Sequence, residues 1–148
     1  MQQKRNIDPR MILMIDDNPT DVLLIKEAFA FCEGNCEVYV AEDGVYALEF
    51  LRRQGEFLHA PRPDIILLDL NMPRKSGLEV LIELKSDLDF KRIPVIVYTS
   101  SVTKEDINAA YNHHANSYIR KSVDFDDCIK TAQSIKDFWF TSSVLSEP

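Results

Sequence analysis

Five short apolar runs alternate with five stretches of helical period, and this alternation constrains the fold more than any other feature of the chain. The runs are RMILMI, CEVYVA, IILL, IPVIVYT and SYIRK. After the first, Val22, Ile25 and Phe29 recur at helical spacing; after the last, Phe125, Ile129, Ala132, Ile135 and Trp139 form an apolar stripe. Strands that alternate strictly with helices imply a parallel sheet covered by helices on both faces. Such strands are buried on both sides and read as apolar throughout. SYIRK is shorter and more polar than the others, which suits an edge strand.

Local signals agree with this reading. Asn18 followed by Pro19 predicts an N-cap and a first helical position. Thr103 is the expected cap of the fourth helix, and the second helix is expected to close on Gly55. Pro61 and Pro63 break the chain before the third strand. A chain of 148 residues suits one domain, expected over residues 10–140. Residues 1–9 are polar and read as a flexible N-terminus, and residues 141–148 as a C-terminal tail.

The formal charge of −7 argues against a nucleic-acid partner, which calls for a basic face. No run reaches the roughly 18 apolar residues of a membrane span, and the N-terminus lacks the apolar segment of a signal peptide. Cys32, Cys36 and Cys128 are odd in number, without metal-ligand spacing, and read as reduced thiols. A cytoplasmic protein is the expectation.

The polar residues fall where they matter. In open parallel sheets, ligands bind at the carboxyl ends of the strands. Asp16 and Asp17 end the first strand, Asp69 the third, Thr99 and Ser100 the fourth, and Arg120 and Lys121 the fifth. A bare carboxylate beside an apolar core is costly, and clustered carboxylates raise one another's pKa values. A divalent cation or an ammonium group relieves both problems. Mg²⁺ prefers oxygen ligands, commonly carboxylates with water and phosphate oxygens. Lys121 is placed to reach the same pocket. A carboxylate can also accept a phosphoryl group covalently, whose oxygens Mg²⁺, Lys121 and Thr99 would then hold.

The strings MIDDNPTD, IILLDLNMPRKSG, IPVIVYTSS and YIRKS together resemble the receiver domain of two-component response regulators. The resemblance implies a three-layer, flavodoxin-like α/β fold: a five-stranded parallel sheet ordered 2-1-3-4-5 with five helices. It implies that Asp69 is the phosphoacceptor. Asp16 and Asp17 match the acidic pair that holds Mg²⁺, with Asp17 the direct ligand, and Asn71 matches the residue that lends its backbone carbonyl to the metal. Thr99 matches the hydroxyl that turns toward the phosphoryl group, and Lys121 the lysine that contacts it. Tyr118 matches the aromatic switch that repacks when Thr99 moves. Pro73 and Gly77 match the turn after the acceptor. Ser122 departs from the pattern, because many receivers carry proline after the lysine. The segments PRPDIILLDLNMPRKSGLEVL, LDFKRIPVIVYTSS and the terminal DFW are also similar to the small stand-alone regulators of cyanobacterial and bacterial phytochromes. That similarity implies a light-sensing histidine kinase as partner.

Blander readings compete at some positions. His113 and His114 lie at a helix end without a ligand cluster and read as surface residues. Phe138, Phe140, Val144 and Leu145 are surplus to one docking stripe, and exposed apolar clusters mark partner surfaces. A homodimer through the fourth helix, fifth strand, fifth helix and tail is the expectation. Among other functions, a phosphatase of the haloacid-dehalogenase type resembles DxD after its first core strand, whereas DLN here follows the third. A receiver-fold binding module that no longer cycles phosphate rests only on Ser122. The expected activity is therefore a phosphoacceptor switch, not an enzyme with a diffusible substrate.

Overall fold

A computed structural model describes residues 9–147. Apart from Pro9, the N-terminal segment expected to be flexible lies outside the described residues.

Five strands form one parallel sheet: β1 (Arg10–Ile15), β2 (Cys36–Ala41), β3 (Ile65–Leu68), β4 (Val95–Thr99) and β5 (Ser117–Arg120). Their order is β2-β1-β3-β4-β5. Five α-helices follow in alternation: α1 (Pro19–Phe31), α2 (Gly44–Arg52), α3 (Gly77–Ser86), α4 (Lys104–Asn112) and α5 (Phe125–Ile135). Ile15 pairs with both Ala41 and Leu68, so the ends of β1, β2 and β3 lie level.

Alternate residues of each strand enter two separate cores. Leu13, Ile15, Ile66, Leu68, Val95 and Val97 face α2, α3 and the buried Ala110 of α4. Ile12, Met14, Ile65, Leu67, Ile96 and Tyr98 face α1 and α5, where Ile25, Phe29, Cys128 and Ala132 meet them. Each fully buried Ile or Leu contributes about 1.5–3 kcal/mol. The central strands therefore form a rigid floor beneath whatever sits at their carboxyl ends. Cys32 and Cys128 are buried, and neither is in a disulfide.

All five helices carry a side-chain N-cap. Asn18 accepts from Thr20 and Asp21 N–H, Asp43 from Tyr46, Ser76 from Glu79, Thr103 from Asp106, and Asp124 from Asp126 and Asp127. The end of α2 differs from expectation. The left-handed stop falls on Arg53, and Gly55 instead opens a 3₁₀ turn over Gly55–Phe57. The chain beyond α5 also differs, because Lys136–Ser142 forms a π-helical turn. Its Lys136 is buried and donates to the carbonyls of Cys32 and Gly34, at 3.2 and 3.4 Å. A cation there meets the negative end of α1. Phe140 is not surplus: with Trp139 it packs on the α1–α5 core, and Arg10 lies over its ring. Phe138 and Val144 remain exposed, at 56% and 97%.

Candidate functional site

The strand ends deliver their polar residues to one place. Asp16 N–H donates to Ala41 O at 3.0 Å, and Asp69 N–H donates to Ile15 O at 2.9 Å. The sheet ladder thus runs one residue past β1 and β3 and holds both aspartates by their backbones. Asp16 and Asp69 are buried, whereas Asp17 is exposed. One carboxylate oxygen from each of the three lies within 4.8 Å of the others.

Lys121 follows β5 and bridges this cluster. Its Nζ lies 2.7 Å from Asp16 Oδ2, 2.9 Å from Asp21 Oδ2 and 3.2 Å from Asp69 Oδ2. Thr99, at the end of β4, donates its hydroxyl to Asp69 Oδ1 at 2.8 Å. Asn71 N–H reaches the same oxygen at 3.4 Å. Burial alone would lower the Lys121 pKa, but Asp16, Asp21 and Asp69 outweigh it and hold the ammonium above the usual lysine range. Burial pushes the Asp16 carboxyl up, Lys121 and the Asn18 N–H offset only part of this, and the Asp69 charge adds to it.

The cluster suits a hard divalent cation. Lys121 meets Asp16 Oδ2 as a charge pair outside hydrogen-bond geometry, which leaves this buried oxygen without a hydrogen bond. Buried polar atoms are seldom left so. An orphaned carboxylate oxygen beside two further carboxylates is a donor set for Mg²⁺ or Mn²⁺, so the residues present fit such an ion.

Tyr118, on edge strand β5, donates its hydroxyl to Ser101 O at 2.7 Å. Ser101 in turn bonds Asp106 in α4. The loop beyond Asp69 is fixed by close approach. Gly77 N–H donates to Leu70 O at 3.0 Å, and a Cβ at Gly77 would sit 2.0 Å from Asp69 O. No residue with a side chain fits there without backbone movement. Ser122 does not leave its loop loose. Its hydroxyl donates to Asp127 at 3.2 Å and accepts from Asp124 N–H at 3.1 Å.

Asp21 is the site residue that sequence reasoning missed. Its signal was an acid in the first turn of α1, which reads equally well as an ordinary partner of the helix dipole. His113 and His114 are exposed at the end of α4.

The model of the response regulator receiver domain matches residues 12–133. The chain belongs to this family. The receiver is 42% identical over 137 residues to the response regulator Rcp1 of Synechocystis sp., covering 93% of each chain. It superposes on the phosphorylated cyanobacterial phytochrome response regulator RcpA with a TM-score of 0.89 and 41% identity, over 95% of this chain and 100% of that one. The Mn²⁺-bound form of Rcp1 gives a TM-score of 0.86 at 41% identity, over 94% and 100%. The sheet order implied by the sequence resemblance is the one found. Among the described residues, no helix of this receiver is long and apolar enough to cross a membrane.

Proposed function

We propose that this receiver accepts a phosphoryl group on Asp69 from a histidine kinase, with Mg²⁺ bound by Asp16, Asp17, Asp69 and the Asn71 carbonyl. The observation that carries the reading is the convergence of Lys121 and Thr99 on the two oxygens of Asp69, beside the other two carboxylates. Bound there, Mg²⁺ would neutralise charge on the carboxylates and on the phosphoryl oxygens.

The chain's own residues do the rest. A carboxylate oxygen of Asp69 forms the P–O bond as the P–N bond to the donor's imidazole breaks. Lys121, already charged and oriented, holds a phosphoryl oxygen. Thr99 leaves Asp69 to donate to the new group, which frees space for Tyr118 to repack against the β4–α4 loop. Attack of water on phosphorus then releases phosphate and restores the carboxylate. The protein acts by its changed surface, not on a diffusible substrate.

Similarity to phytochrome response regulators makes a phytochrome-type histidine kinase the proposed partner. Residues 10–140 form the receiver on this reading. The fourth helix, fifth strand, fifth helix and tail, with Phe138 and Val144 exposed, form a homodimer surface on this reading. A cytoplasmic location follows from a cytoplasmic kinase domain as donor.

The test is incubation with Mg²⁺ and acetyl phosphate, followed by intact-mass measurement. A gain of one phosphoryl group, lost in Asp69→Asn and in EDTA, supports the reading. No gain, even with a purified phytochrome-type kinase, leaves a binding module that does not cycle phosphate. Sedimentation across a concentration series, with and without phosphorylation, tests the dimer. A monomer throughout rejects it.

A further inference from the structure

Two loops at the carboxyl edge of the sheet are tied together by a contact that the proposed chemistry does not use. Asp43 follows β2 and caps α2, and its Oδ1 accepts from Tyr46 N–H at 2.9 Å. Its Oδ2 accepts from Arg74 twice, from Nε at 2.9 Å and Nη2 at 2.7 Å. The same guanidinium lies over the Tyr46 ring, 4.8 Å from its centroid. Asp43 is buried while Arg74 is half exposed. The acid is thus a fixed socket and the arginine the part that enters it.

Arg74 lies midway along the loop between Asp69 and α3. Its φ is +62°, a left-handed conformation that side chains other than glycine and asparagine seldom adopt. Lys75 N–H donates to Pro73 O at 2.7 Å and closes a three-residue turn around it. Such a turn is strained and persists only where its surroundings hold it. The C-terminal end of the loop is held by Gly77 against Asp69, and Lys75 pairs with Glu83. Arg74 holds the middle. Asn71 lies in the same loop.

We propose that Asp43, Arg74 and Tyr46 form a positioning clamp that keeps the residue 70–77 loop ordered at the acidic cluster and thereby sets the affinity for the divalent cation. The clamp rests on the metal reading above. Without it, the strained turn relaxes and cation binding must reorder the loop, which lowers affinity without removing any carboxylate ligand. The planar guanidinium is what makes the contact, since it donates from two nitrogens and stacks at once, as an ammonium does not.

The test is Mn²⁺ titration of the full chain, reading free Mn²⁺ by electron paramagnetic resonance. Arg74→Gln removes the charge and the fork. Asp43→Asn keeps an oxygen for Tyr46 N–H, so α2 stays capped. Each single variant is expected to raise the Mn²⁺ Kd about tenfold, and the double variant no further, because the two residues act as one unit. Arg74→Lys recovers part of the affinity. Acetyl phosphate labelling of Asp69 returns to the wild-type rate at saturating Mn²⁺, separating affinity from reactivity. Unchanged Kd in folded Arg74→Gln and Asp43→Asn, additive losses, or a rate deficit that persists at saturation would each overturn the clamp. A wild-type chain whose Mn²⁺ binding ignores Asp16 and Asp17 would instead overturn the metal reading beneath it.

Discussion

Lys121 Nζ lies 2.9 Å from Asp21 Oδ2, across a hundred residues of chain. The ammonium donates hydrogen bonds to Asp21 and Asp69 and meets Asp16 as a charge pair at 2.7 Å. A cation that takes Asp16 and Asp69 must draw them from Lys121. Asp21 stands apart from the three-carboxylate cluster and remains as the lysine's anchor.

Asp21→Asn is therefore expected to weaken Mg²⁺ binding. The lysine then leans wholly on Asp16 and Asp69 and competes harder with the ion. Calorimetry should show affinity lower by roughly three- to tenfold, and urea unfolding without metal a loss of about 1 kcal/mol, since two partners remain. Unchanged Mg²⁺ affinity would remove Asp21 from the site.

Lys121→Met has the opposite effect on the ion. Removing the ammonium leaves Asp16 and Asp69 buried without a counter-charge, and metal-free stability should fall by about 3 kcal/mol. Divalent cation then restores it by mass action, by about 2.7 kcal/mol at a hundred times Kd. Thermal melts with and without Mg²⁺ check this. A variant whose melting temperature ignores Mg²⁺ would contradict it.

Gly77→Ala should be among the most damaging small substitutions. Its Cβ would meet Asp69 O at 2.0 Å and Leu70 Cα at 2.6 Å, both backbone atoms. A loss of about 3 kcal/mol is expected from the forced backbone shift, with slower phosphorylation because Asp69 moves with it. Gly55→Ala is the control. Its φ is +56° but nothing lies within 4 Å of the added carbon, so only the conformational cost of about 1–2 kcal/mol applies. Equal losses at both positions would refute the steric account.

Asp43 gives a pH prediction. Burial opposes its ionisation, but the Tyr46 N–H and Arg74 outweigh burial and hold its pKa below the ordinary 3.8. A lowered carboxylate pKa stabilises the fold fully above the unfolded value and loses that effect as pH falls through the folded one. The stability gap between wild type and Asp43→Asn should thus be largest near neutrality and shrink as pH drops below about 4. Urea unfolding across that range measures it. A gap constant with pH would show that Asp43 contributes nothing through its charge.

Much of the fold was legible because its signals are local. Asn18 with Pro19 marks a helix start within two residues, and the apolar runs mark strands within four to six. The left-handed stop at Arg53 was not legible. An arginine seldom takes that conformation, so nothing in its side chain announced the stop, and Gly55 offered a stronger but misplaced signal. Phe140 read as surplus because helical period assumes 3.6 residues per turn, and the π turn at Lys136–Ser142 rotates its side chains off that period. Asp69, Asp16, Thr99 and Lys121 were legible as a group because each ends a strand. Asp21 and the Asp43–Arg74 pair were not, because each has an ordinary helix-end or loop reading when taken alone.

Period and position along a strand settle the alternation of strand and helix, the apolar faces and the set of polar residues at one sheet edge, and these are readable in the chain itself. Which carboxylates meet Lys121, that Thr99 holds Asp69, and that Arg74 reaches Asp43 are set by packing between elements. Periodicity assigns a residue to a face of its own element, whereas an ion pair depends on distances between elements, which exist only once the sheet has taken its order and packed its two layers of helices.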